Sequence, residues 1–81
     1  MQPQYRRGDR AAAVAEFRAR LAQIGFSVES DDPDYFDDRV DDAVRSFQQA
    51  RGLTVDGIVG AATLRRIDEA KWRLGDRPLS F

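Results

Sequence analysis

Val55-Asp56-Gly57-Ile58-Val59-Gly60-Ala61-Ala62-Thr63 (VDGIVGAAT) is the stretch on which the reading of this chain turns. Two glycines three apart follow an aspartate and precede a threonine, enclosing an apolar pair in a chain that is 33% charged. Asp-Gly behind the β-leaning run Leu53-Thr54-Val55 would signal a hairpin between real strands, but the flanks here are too short for a ladder. A tight turn is expected instead. Gly57 supplies a positive φ that a side chain resists, and Asp56 bonds backbone amides just ahead of it. Gly60 then stands at or just before the first residue of a helix, with Thr63 in its opening turn. Ile58 and Val59 tuck inward or present an edge.

Upstream of the turn, Val40, Val44 and Phe47, joined by Ala43 and Ala50, form the inner face of a helix that starts near Asp37 or Asp38 and ends at Gly52. Further back, Val14, Phe17, Leu21 and Ile24 recur at spacings of three and four, which predicts a helix over 10–24. Asp9, or the Gly8-Asp9 pair, is its expected cap and Gly25 its expected left-handed stop. Between these helices Pro33 disfavours helix at Asp32, so the Asp-rich stretch around it reads as a loop. Downstream, Leu64, Ile67, Leu74 and Trp72 predict a third helix over 61–73, with Gly75 as its stop. Ala13-Val14-x-x-Phe17 is echoed by Ala43-Val44-x-x-Phe47, as if two helices show similar faces to one core. The fold class is therefore all-α, a compact three-helix bundle with short connecting turns. Residues 1–8 read as an N-terminal tail, 9–74 as the domain and 75–81 as a linker or tail.

With 81 residues the chain supports one modest core. It has neither cysteine nor histidine, which removes disulfides, zinc-finger spacings and Ser-His or Cys-His nucleophile pairs. No cofactor and no metal are expected. The net charge is only −1, but it is segregated: +3 over 1–28, −7 over 29–42 and +3 over 43–81. Such a pattern argues against nucleic acid as partner, and the absence of a long apolar run argues against membrane insertion. The acidic stretch lacks the glycine and spacing of an EF-hand calcium loop. It reads as a solvated loop plus acids at the positive end of the second helix, with weak calcium binding or a basic protein partner as alternatives. Its polar setting keeps carboxylates ionised, so no residue is assigned a catalytic role. Arg18, Arg20, Arg65 and Arg66 read as solvated helix faces.

The spacing Phe47-Gln48-x-x-x-Gly52-Leu53-x-Val55-Asp56-Gly57-Ile58-Val59-Gly60-x-x-Thr63 resembles the signature of the small three-helix peptidoglycan-binding domain. The likeness extends upstream through Gly8-Asp9-Arg10, Val14, Leu21, Gly25, Phe36-Asp37 and Ala43-Val44. Ala11 and Val40 stand where that family usually has glycine and threonine. The resemblance implies a non-catalytic monomer that anchors an attached N-acetylmuramoyl-L-alanine amidase-like region on murein, through a stem peptide or glycan. The alternative is a protein-interaction module of the same fold in an intracellular regulator of wall synthesis, with a wall-synthesis protein as partner. The location would be the cell wall if the chain is exported within a longer protein, and cytoplasmic otherwise. The candidate ligand-binding residues are Asp56, Gly57, Ile58, Val59, Gly60 and Thr63, with Tyr35 and Gln48. Against that stands a bland reading in which Leu53, Val55, Ile58, Val59 and Leu64 are core and the glycines are geometry. Tyr35, Phe36 and Trp72 are then buried edges of that core.

Overall fold

The structure, a computed structural model, describes residues 4–28 and 31–76, with side chains to Glu69. Its elements are α1 (Ala12–Gln23), α2 (Asp38–Ala50) and α3 (Ala61–Asp76). Most of each expected stripe is buried: Val14, Phe17 and Leu21 of α1, Val40, Ala43, Val44 and Phe47 of α2, and Ile67 of α3, joined by Phe36 and Val59 from the connections, while Ile24 at the end of α1 and Leu64 of α3 are only half-buried. Helix α1 packs on both α2 and α3.

Aromatic rings hold this core together. Phe17 lies between Tyr5 and Phe36, with ring centroids 6.0 and 5.9 Å away, and Phe26 meets Phe47 edge-on at 5.7 Å. The Phe17–Phe36 and Phe26–Phe47 pairs are edge-to-face, a geometry that adds about 0.5–1.5 kcal/mol beyond the area they bury.

Helices α1 and α2 end alike. Phe26 N donates to Leu21 O and Gly25 N to Ala22 O, while Leu53 N donates to Gln48 O and Gly52 N to Gln49 O. This is the paired-bond cap that places a left-handed residue just past the last turn, and it explains the glycine after each echoed helix. Gly52 has φ +71°.

Several boundaries and burial states differ from expectation. Asp9 does not cap α1; the N-cap is Ala11, which makes no side-chain bond. Tertiary pairing overrides the local cap: Gly8 N donates to Phe36 O, Phe36 N to Asp9 O and Ala11 N to Asp34 O, drawing 8–11 alongside 34–36. The Asp9 carboxylate instead accepts from Arg6 N, closing a short turn. At α2 the expected start holds, with Asp37 Oδ1 accepting from Val40 N at 3.0 Å. Helix α3 continues through Gly75 to Asp76, because glycine weakens a helix by about 1 kcal/mol without ending it unless the chain turns left-handed there. Ala50 is exposed rather than inward, and Val55 is 45% exposed rather than core. The side chains of Trp72 and Leu74 lie outside the described residues.

The segregated charges meet across the fold. Arg10 reaches Asp32 at 2.7 Å and Asp34 at 2.8 Å, and Arg7 reaches Asp38 at 3.1 Å. The Arg10 hydrogen bond, foremost, holds the Asp32 carboxyl below its usual range. These pairs are solvent-exposed, so they orient the acidic loop more than they stabilise it. Of the arginines read as solvated, Arg20 pairs with Asp68 at 3.0 Å and Arg18 donates to Val28 O at a partly buried site.

Candidate functional site

The turn before α3 is built around one buried amide. Gln48 is 1% exposed on the inner side of α2. Its Nε2 donates to Asp56 Oδ1 at 3.0 Å, Ile58 O at 3.0 Å and Thr63 Oγ1 at 3.2 Å. Its Oε1 accepts from Asp56 N at 3.2 Å and Gly57 N at 3.0 Å. One carboxamide thus ties α2 to the turn and to the first turn of α3. A buried polar group is tolerable only when satisfied in this way.

Two further devices stiffen the segment. Asp56 Oδ1 accepts from Ile58 N at 2.9 Å, the local bond expected of an aspartate before glycine. Val59 and Tyr5 exchange both backbone bonds, Tyr5 N to Val59 O at 3.0 Å and Val59 N to Tyr5 O at 2.8 Å, forming an isolated antiparallel bridge. Tyr5 belongs to the stretch read from sequence as a tail, yet it is packed on the core.

Gly57 has φ +73°, and a Cβ added there would lie 2.7 Å from Asp41 Oδ1 and 2.8 Å from Arg45 Nη2. Arg45 pairs with Asp41 and donates to Asp56 O at 3.3 Å. Alanine at 57 therefore both strains the backbone and pushes these side-chain ends aside. At Gly52 a Cβ would meet open space, leaving only the backbone strain. Gly52→Ala is expected to cost about 1 kcal/mol and Gly57→Ala about 2 kcal/mol. Denaturant titration of both variants checks the order, and equal costs would show that the Asp41–Arg45 contact is irrelevant.

Beside this turn lies an open recess of about 280 Å³, lined by Gln4, Gln48, Leu53, Thr54, Asp56, Ile58 and the start of α3, Gly60 to Thr63. It gathers most of the sequence-predicted site residues. Val59 is different: its side chain is fully buried and faces the core. Gly57 is buried under the Arg45–Asp41 contact. Tyr35 lines a separate depression with Arg7, Gly8, Asp37 and Asp38, with the Arg10 guanidinium 5.1 Å from its ring centre. Gln4, Thr54, Ala61 and Ala62 line the recess without having been singled out, and small or polar residues at such positions carry no pattern that could have flagged them.

The chemistry of the recess is that of a binding surface. The N–H groups of Asp56, Gly57, Ile58 and Val59 are all donated internally. What remains at the rim is the Gln4 carboxamide, Thr54, the outer side of Asp56, half-buried Ile58 and the opening residues of α3. Among the described residues, no cationic side chain lines it. The Ile58 N–H bond, foremost, and then Gln48 hold the Asp56 carboxyl below its ordinary range, so this group is an acceptor rather than an acid. Among the described residues, no group of three or more His, Cys, Asp or Glu could hold a metal ion, and no helix is long and apolar enough to cross a membrane.

Because folding depresses the Asp56 pKa, its charged form stabilises the fold fully above the ordinary aspartate range, and this contribution fades as pH falls through the lower folded value. The Ile58 amide resonance is expected to titrate with a midpoint below that of Asp56 in a short peptide spanning 52–60. A midpoint at or above the peptide's would mean that the turn does not hold the charge.

The comparisons with known proteins agree with this architecture. The family described as "Putative peptidoglycan binding domain" matches residues 10–67. The chain belongs to the peptidoglycan-binding domain family. It is 48% identical, over 89% of its length, to the N-acetylmuramoyl-L-alanine amidase CwlM of Mycobacterium tuberculosis, and spans about one fifth of that relative (20%). Among solved structures it is similar to the SleB N-terminal domain, with a TM-score of 0.79 and 31% identity, over 88% of this chain and 96% of that one. It is also similar to a peptidoglycan-binding protein from Clostridioides difficile in complex with glutamine hydroxamate, with a TM-score of 0.74 and 31% identity, over 80% of this chain and 40% of that one. The family is one of non-catalytic binding modules. This peptidoglycan-binding domain thus carries its Gln48-centred turn on the three-helix frame that its sequence implies.

Proposed function

We propose that this domain holds an attached amidase-like region on murein, contacting stem peptides through the recess at the start of α3. Family membership supports the class of ligand. The observation that supports the place is the recess itself, a concavity whose walls are held by the five Gln48 contacts and the Tyr5–Val59 bridge. A preorganised wall loses little entropy on binding. Half-buried Leu53 and Ile58 offer apolar contact, while Thr54, Gln4 and the opening turn of α3 offer groups that suit peptide amides and carbonyls. Tyr35, in its separate depression, is left out of the proposed contact. So shallow a site gives modest affinity alone, which linkage to a second module would raise through effective concentration.

Chemical-shift mapping with a soluble muropeptide tests the proposal. The amides of Thr54 and of Asp56 through Thr63 are expected to move, and the chain is expected to sediment with insoluble cell wall. A response confined to residues 31–42 would place the contact elsewhere. A folded chain that stays in the supernatant and shows no shifts would favour a protein partner for the same fold.

A further inference from the structure

We propose that Gln4, from the segment ahead of α1, is a ligand-contacting wall of the recess that selects amide groups over free carboxylates. This rests on the recess being the murein contact. Gln4 lies outside the span that matches the family, which begins at residue 10. The neighbouring Tyr5 anchors this segment, exchanging two backbone bonds with Val59 and setting its ring 6.0 Å from that of Phe17. That anchoring sets the Gln4 side chain over Gly60: a Cβ on Gly60 would stand 3.5 Å from Gln4 Nε2, 3.6 Å from Cγ and 3.9 Å from Cδ. The carboxamide therefore roofs the point where the turn enters α3, while Gln4 as a whole stays exposed to solvent.

The selectivity follows from what else the recess offers. A carboxamide donates and accepts at once, so it pairs with another amide through two complementary bonds, whereas a carboxylate can only accept. The lining residues include one carboxylate, Asp56, held ionised by its contacts, and, among the described residues, no cationic side chain; Arg45 lies outside the lining, engaged with Asp41 and Asp56 O. A ligand that sets an amide against Gln4 gains both bonds, whereas one that sets a free carboxylate there gains only the bond from Gln4 Nε2 and brings a second negative charge beside Asp56. Glycine at 60 complements this arrangement, since its lack of a side chain leaves the space under the carboxamide open.

The test titrates the full chain with a disaccharide-tetrapeptide muropeptide in two forms, one with free carboxylates and one with the same groups amidated, following backbone shifts. The unaltered chain is expected to bind the amidated form more tightly. Gln4→Ala should weaken that form at least about fivefold, since two neutral hydrogen bonds are lost, and narrow the gap between the two forms. Gln4→Glu should weaken the carboxylate form further still. Both variants should melt at the temperature of the unaltered chain, since Gln4 is exposed. If Gln4→Ala binds both forms as the unaltered chain does, the role of Gln4 is overturned while the recess stands. If the unaltered chain shows no recess shifts with either form, the recess assignment and the role of Gln4 fall together.

Discussion

Gln48→Ala is expected to lower stability by about 3 kcal/mol and the melting midpoint by about 15 °C, and to broaden or scatter the amide resonances of 54–63. The substitution removes a buried carboxamide that makes five hydrogen bonds, to Asp56 N, Asp56 Oδ1, Gly57 N, Ile58 O and Thr63 Oγ1. Each partner left unsatisfied in a dry setting costs about 1–3 kcal/mol. Several here border the recess and can turn to water, which keeps the sum near the lower end. A small cavity adds to the loss. Thermal unfolding with a matched amide spectrum checks this. A drop of only one or two degrees with an unchanged spectrum would show that the Asp56–Ile58 bond and the Tyr5–Val59 bridge keep the turn in shape without Gln48, and the preorganised recess would lose its main support.

Phe17→Ala is expected to be more severe, costing about 4 kcal/mol and leaving much of the chain unfolded at 37 °C. Phe17 is 1% exposed and joins the Tyr5 and Phe36 rings, so its removal opens a cavity and breaks two aromatic contacts. A domain of this size has a total stability of roughly 4–12 kcal/mol to lose. The loss should also release Tyr5, and with it the backbone bridge to Val59 that positions Gln4. Val55→Ala is the contrast: at 45% exposure it should change stability by about 0.5 kcal/mol or less. Circular dichroism melts of both variants make the comparison, and similar melts would contradict the assignment of the core.

Much of the frame was legible in the residue pattern. Val14, Phe17 and Leu21, like Val40, Val44 and Phe47, repeat at the helical period because one face of each helix must leave water, and a helix puts them on that one face. Gln48 falls four residues after Val44, so the same period turns it inward. Its polarity hides this, since a polar residue on an apolar face reads as the face's edge until its partners are known. Those partners lie 8 to 15 residues ahead, beyond the reach of any local pattern.

The misreadings share that cause. Asp9 is a good local cap, but the pairing of 8–11 with 34–36 claims the backbone first. Val55 looked like core among its apolar neighbours, whereas the bonds that Asp56 N and Gly57 N donate to Gln48 Oε1 fix the turn with Val55 facing outward.

Helix number, their buried stripes and the glycine-marked turn could be read along the chain, because each depends on interactions within a few residues or on the simple preference of apolar groups to leave water. The recess could not. It exists because a side chain from α2, a backbone bridge from residue 5 and the first turn of α3 converge on the same few ångströms. That convergence is settled only when distant segments compete for the same hydrogen bonds, and it determines which groups of the turn are consumed in holding it and which are left for a ligand.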